Sequence, residues 1–223
     1  MKLVFIKIIL FSIFFSGYVF SDGFESTYEV SSSGVKIGIF NWALDIDGGK
    51  YESKIKLKSK GLLSPLYKFE GEYVSKGYVK NNFFNTTSYK QFWKTKNKTK
   101  VIAIKFRDGY VLSVHQKPKE NEAPRVDLKE IKKYYDPITS IINILYGHDD
   151  VKTIDGRRVY VLKKNISSNQ EKLIFKIIKY QNIWADHKRN DLNEVGLFLE
   201  KNTLLPTLIE IDFKGRIFKL KKI

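Results

Sequence analysis

Apolar and polar side chains alternate one for one along most of this chain, and that pattern constrains its fold more than any other feature. In Lys54-Ile55-Lys56-Leu57-Lys58 the apolar residues share one face and the lysines the other. Successive residues point to opposite sides only in a β-strand, so such a run can bury its apolar half only in a sheet. Tyr67, Phe69 and Tyr73 alternate with Lys68, Glu70 and Glu72. Ile102, Ile104 and Phe106 form another inward row, as do Ile209, Ile211 and Phe213, and Phe218 and Leu220 flank Lys219. A sheet with one wet face is an antiparallel one. Asp47-Gly48-Gly49, Asp108-Gly109, Asp155-Gly156 and Lys214-Gly215 separate the runs, with Lys96-Asn97-Lys98 as a further hairpin tip. These are residue types that accept the positive φ of tight hairpins. The spacing predicts about ten strands in a meander, and no repeat of fixed length suggests a propeller or solenoid.

Four stretches depart from the alternation. Asp136 can cap a helix, Pro137 suits its first position and Gly147 stops it. Between them Ile138, Ile141, Ile142 and Leu145 make one apolar stripe at helical spacing, which must be buried against the sheet. The segment 117–133 is charged, contains Pro118 and Pro124, and reads as a mobile loop with a short helical turn near 127–133. A weaker helix or loop is expected over 184–193. In residues 35–46, Val35, Ile37 and Ile39 share one face, whereas Phe40, Trp42, Leu44 and Ile46 share the other. Either a bulge switches faces near Ile39 or both faces are covered. Phe40 and Trp42 are then candidates to line an apolar cavity beneath the helix, with ordinary core packing as the alternative.

The N-terminus follows a different grammar. Lys2 and Lys7 precede the apolar run Ile8–Phe15, Ser16-Gly17 breaks it, and Val19-Phe20-Ser21 offers small residues at a cut before Asp22. This is the pattern of a cleavable signal peptide over residues 1–21, and the run is short of the roughly 20 apolar residues of a membrane span. Residues 22–223 show no linker or break in composition and read as one domain, expected to be a monomer. The chain has no cysteine. Burial rather than disulfides must hold it together, and no lipid can be attached to an N-terminal cysteine, so membrane contact is at most peripheral. The expected location is the periplasm of a Gram-negative-type bacterium. The formal charge is +16, or +14 without residues 1–21. That surplus suits anionic lipid or another envelope polyanion, or reflects a Lys-, Ile- and Asn-rich composition. Nucleic acid is not an expected partner of an exported protein.

Motifs of reaction chemistry are absent from the sequence. There are three histidines, His115, His148 and His187, with no metalloprotease pair, no nucleophile elbow and no phosphate loop. His148-Asp149-Asp150 follows a helix stop and reads as a solvated turn, and Asp186-His187 are neighbours in sequence alone. No catalytic residue, metal or cofactor is expected, and the chain does not read as an enzyme. Lys94, Lys96, Lys98 and Lys100 gather near Trp93, either as a basic patch for an anionic surface or as a solvated strand face that discourages edge pairing.

Several short motifs also occur in a fixed order: Tyr28-x-Val30, Gly34-Val35-x-Ile37-Gly38, Gly49-x-Tyr51, Tyr135-Asp136-Pro137-Ile138-Thr139-Ser140, Asp155-Gly156-Arg157-Arg158-x-Tyr160, and Pro206 before Gly215. In this order the chain resembles the DUF3108 family of exported bacterial proteins, over nearly all of residues 22–223. That family is similar in design to the LolA/LolB-like lipoprotein carriers, in which helices cover the hollow of a strongly curved sheet. The resemblance implies a mainly β (α+β) fold: an antiparallel open half-barrel of about ten strands with one main covering helix near 137–146. It implies no catalytic residues. The expected role is an exported binding or carrier protein holding an acyl chain or lipid between sheet and helix, with Phe40, Trp42, Ile138, Ile141, Ile142 and Leu145 around the cavity. The alternative is an envelope scaffold with a filled core and a protein partner.

Overall fold

The computed structural model describes residues 23–61, 64, 68–165, 171–184, 191–200 and 203–223. The expected signal peptide, His187 and most of the weak 184–193 segment lie outside them. Thirteen strands form a single antiparallel sheet: β1 Phe24–Ser32, β2 Val35–Asp47, β3 Lys50–Ser59, β4 Phe69–Lys80, β5 Phe83–Thr95, β6 Thr99–Arg107, β7 Tyr110–Lys117, β8 Val151–Ile154, β9 Arg158–Lys164, β10 Lys172–Asn182, β11 Leu192–Leu199, β12 Pro206–Phe213 and β13 Arg216–Lys222. The helix α1 spans Pro137–Leu145. The order across the sheet is β7-β6-β5-β4-β3-β2-β1-β13-β12-β11-β10-β9-β8, so the last strand of the chain pairs with the first. This is three strands more than the alternation suggested. The four-residue β8, for example, is too short to display a period.

Five connections are tight pairs with both residues at positive φ: Ser33-Gly34, Gly48-Gly49, Asn81-Asn82, Asp108-Gly109 and Lys214-Gly215. Two consecutive residues of that kind match the right-handed twist of hairpin strands. The face switch in β2 is a bulge: the pairing of β1 with β2 shifts between Val30 and Ser31, leaving Ile37 as the extra residue. It lies two residues before Ile39 and sets Phe40, Trp42 and Leu44 on the inner face.

The register draws inner rows across the strands. Leu44, Ser53, Ser75, Tyr89 and Ile104 form one, and Trp42, Ile55, Tyr73, Gln91 and Ile102 the next. Phe40, Leu57, Gly71 and Trp93 form a third. The two edges of the sheet, β7 and β8, are joined by the segment 131–135. Lys133 N–H donates to Gly109 O at 2.8 Å on the β7 side, while on the β8 side Tyr135 N–H donates to Lys152 O and Tyr135 O accepts from Ile154 N–H, both at 2.9 Å. The sheet thus stays open in its own ladder, but a strip of loop bridges the gap, pairing with the start of β7 and with β8. The rest of the 117–133 loop is pinned too. Ile131 is buried, Arg125 N–H bonds to Ile183 O, and Arg157 pairs with Glu120. Residues 127–131 make a turn rather than a helix.

The helix forms where its signals place it. Asp136 Oδ1 accepts the amides of Ile138 at 3.0 Å and Thr139 at 3.2 Å, and Gly147, at φ +93°, ends the helix. It packs against β4, β5 and β8 at the end of the strands that carries the 48–49, 81–82 and 108–109 turns. Its role as a one-faced cover is corrected. Seven of its nine residues are buried, including Thr139, Ser140 and Asn143 on the polar side, and only Pro137 and Ile141 are half-buried. The helix plugs the barrel, and its polar side is met by sheet polar groups rather than by water.

Candidate ligand-binding site

The polar side of α1 is built into the sheet by hydrogen bonds. Asp136 Oδ2 accepts from the hydroxyls of Ser75 at 2.7 Å, Thr86 at 2.7 Å and Thr139 at 2.6 Å. Because the one hydroxyl proton of Thr139 goes to the carboxylate, Tyr51 must donate its own to Thr139 Oγ1, at 2.6 Å. Asn143 bridges the backbone of Phe84, accepting its N–H at 2.8 Å and donating to its O at 3.0 Å, and Thr153 donates to Ser140 at 2.8 Å. Burial raises the Asp136 pKa above the ordinary carboxylate value, while its hydroxyl and amide donors pull the other way. The first turn of the helix is thereby fixed in place with Pro137, Ile138 and Ile141 facing inward.

In front of that turn lies a cavity of about 380 Å³, within the range of about 300–1,000 Å³ typical of small-molecule sites. Phe40 and Trp42 of β2, Ile55 and Leu57 of β3, Tyr73 of β4, and Tyr89 and Gln91 of β5 line one side. Tyr160 and Leu162 of β9, Leu192, Val195 and Leu197 of β11, Ile209 and Ile211 of β12, and Leu220 of β13 line the other. Trp42 is held by its indole N–H, which donates to Ser53 Oγ at 2.9 Å, and by an edge-on contact with Phe24. Gly71 makes room for Tyr73: a Cβ there would stand 3.0 Å from the Tyr73 ring.

The cavity wall carries a few polar groups. Tyr89 donates to Gln91 Oε1 at 3.3 Å. The hydroxyls of Tyr73 and Tyr160 have no hydrogen-bond partner among the described residues, although Tyr160 is only 6% exposed. Burial pushes the phenols of Tyr73, Tyr89 and Tyr160 well up, so all three are protonated at neutral pH. Asp155 also faces the cavity. Its Oδ1 accepts the amides of Arg157 at 2.9 Å and Arg158 at 2.8 Å, and Arg158 Nε lies 3.3 Å from Oδ2. Burial raises its pKa, and Arg158 and the two amides oppose the rise. Arg158 donates to Tyr180, and Trp184 donates its indole N–H to Gly156 O. Gly156 sits at φ +87°, and a Cβ there would come within 2.4 Å of Ile102. The turn can therefore close on β6 only with glycine at that position.

Of the residues named from the sequence, Phe40, Trp42, Ile138 and Ile141 line this cavity. Ile142 and Leu145 do not: they are buried in the core behind the helix. The stripe wraps far enough round the helix that its second half faces the sheet. Tyr73, Tyr89, Gln91, Asp155 and Tyr160 were not foreseen as wall residues. The parity of Tyr73 within its strand was a partial signal, and the Asp155–Tyr160 motif was a second. Lys94, Lys96 and Lys98 are exposed and Lys100 half-buried on the β5–β6 hairpin, and none of the four lines the cavity. Trp93 stacks on Phe69 with ring centroids 5.7 Å apart. His115 is an exposed strand residue, and His148 packs edge-on against Phe83. Among the described residues no group of His, Asp or Glu is placed to hold a metal ion.

A family model described as a protein of unknown function, DUF3108, matches residues 27–165. The chain belongs to the DUF3108 family. The match takes in the Asp136 helix start and the Asp155–Tyr160 turn, while Pro206 and Gly215 lie beyond it. Pro206 nonetheless connects to the matched region, since Tyr28 of the first motif donates to its carbonyl at 2.9 Å. No curated protein matches the chain. Among solved structures, a β-barrel-like protein of the domain of unknown function DUF1849 from Brucella abortus is similar, with a TM-score of 0.51 and 13% identity, over 89% of this chain and 95% of that one. At that identity the likeness is one of fold, and it agrees with the barrel-like sheet of this DUF3108 member.

Proposed function

We propose that this protein is an exported binding or carrier protein that holds an apolar ligand, such as an acyl chain or lipid, inside its barrel. The observation that carries the reading is the cavity of about 380 Å³ between the first turn of α1 and both halves of the sheet, walled almost wholly by apolar side chains. An interior of this kind is normally close-packed, and one left open over such a volume forgoes contacts that a scaffold would have no reason to surrender. The protein acts without chemistry of its own, as a monomer in the periplasm, and the surplus of lysines favours approach to anionic envelope surfaces.

The test is direct. Protein purified from its exported form, without detergent, is extracted with organic solvent and the extract analysed by mass spectrometry. A bound lipid at near-stoichiometric amount is expected. Ile141→Trp, which places a large ring in the cavity from the half-buried side of α1, should empty it while leaving the fold intact by circular dichroism. An extract without lipid, or a folded Ile141→Trp protein with an unchanged load, overturns the proposal.

A further inference from the structure

The polar groups of the cavity go further than its size and specify which end chemistry a ligand presents there. This inference rests on the binding reading above. Tyr73 and Tyr160 face the space from opposite sides, one on β4 and one on β9, and neither hydroxyl has a partner among the described residues. Tyr89 does not serve them either: its hydroxyl donates to Gln91, and no hydrogen bond joins it to Tyr73 or Tyr160. A phenol is foremost a donor, and an unpaired donor on an otherwise apolar wall favours a ligand that brings an acceptor. Among the described residues that line the cavity there is no lysine or arginine, and the acidic group there, Asp155, is already held by Arg158 and two amides. An ionised carboxylate or phosphate brought inside would lie beside that acidic group with no free cation among the described lining residues to pair with, which buried charge does not tolerate.

We infer that the cavity selects a neutral, acceptor-bearing acyl compound, an ester or amide whose carbonyl oxygen takes the Tyr73 and Tyr160 hydroxyls, over the free fatty acid. Any charged portion of the ligand stays outside the barrel, and the acyl chain runs along the apolar wall formed by residues such as Phe40, Leu57, Ile209 and Ile211.

The experiment loads delipidated protein with the neutral hydrocarbon dye diphenylhexatriene and displaces it at neutral pH with three probes of equal chain length: hexadecane, methyl palmitate and palmitate. Methyl palmitate should displace the dye at a concentration at least about five-fold lower than either hexadecane or palmitate, the least that two gained hydrogen bonds contribute. Tyr73→Phe combined with Tyr160→Phe should bring the ester to the level of the alkane, the ratio between the two being the readout. Should the double variant lose the dye, the two single variants take its place, each expected to narrow the preference. If the wild type binds dye but shows no preference, or prefers palmitate, the inference falls while the cavity reading stands. A preference that survives in the Phe variants also overturns it. If neither dye nor probe binds, both fall together.

Discussion

Two buried polar clusters share the interior of this barrel, and they differ in one respect. Around Asp136 every donor has an acceptor: three hydroxyls and two amides converge on one carboxylate, and Tyr51 completes the set through Thr139. Around Tyr89, two of the phenols, Tyr73 and Tyr160, face an apolar space with nothing in the described protein to bond to. The satisfied cluster is a fastening, which sets the helix at one depth and orientation in the barrel. On the binding reading proposed above, the unpaired one is where a ligand's acceptor would bond. Saturation of hydrogen bonds would thus separate polarity that serves the fold from polarity open to a ligand.

The contrast predicts different costs for small changes in each cluster. Asp136→Ala leaves three hydroxyls and two amides without an acceptor and should cost the most, about 3–5 kcal/mol in urea unfolding. A loss below about 1 kcal/mol would mean that the cluster does not fasten the helix. Asp136 also has a signature in pH. Its folded pKa is raised above its unfolded value, so the folded state holds the proton more tightly. Its contribution is fully present below about pH 4 and is lost as the pH rises through the window up to the folded value. Measured as urea midpoints, wild type should therefore lose stability relative to Asp136→Asn as the pH rises from about 4 to 7. A relative gain over that window would show that the donors outweigh burial.

In the other cluster, Tyr160→Phe and Tyr73→Phe remove hydroxyls that bond to nothing in the protein, and each should change stability by less than about 1 kcal/mol. A larger loss in the ligand-free protein would reveal a structural partner and erase the distinction between the clusters. The smallest effect belongs to the surface. Lys94, Lys96 and Lys98 replaced together by Gln should leave the unfolding midpoint within about 0.5 kcal/mol of wild type. Any role of the hairpin would then appear only as weaker retention on vesicles containing anionic lipid, read by co-sedimentation at low salt.

The class of fold was written in the one-for-one alternation, because parity in a strand decides facing without reference to any other part of the chain. The Gly, Asn and Asp turn pairs and the Asp136-Pro137 helix start are likewise local, since each satisfies or shapes backbone within a few residues. What lay beyond reach were consequences of distance. Asp136 was readable as an N-cap, but the second half of its role, gathering Ser75 and Thr86 from strands 50 to 61 residues away, exists only once β4 and β5 are wrapped round the helix. Ile142 and Leu145 carry the same helical spacing as Ile138 and Ile141, yet only the packing of α1 against β4, β5 and β8 decided which pair meets the cavity. The strip 131–135 bridges the two edges of the sheet although its composition reads as loop, because what it supplies there is backbone hydrogen bonds, which composition does not encode. Alternation therefore specified a sheet with an apolar inner face. How far that sheet curls, and whether the enclosed space fills completely or stays open before Tyr73 and Tyr160, depended on how side-chain volumes from both halves meet, and those residues come together only in three dimensions.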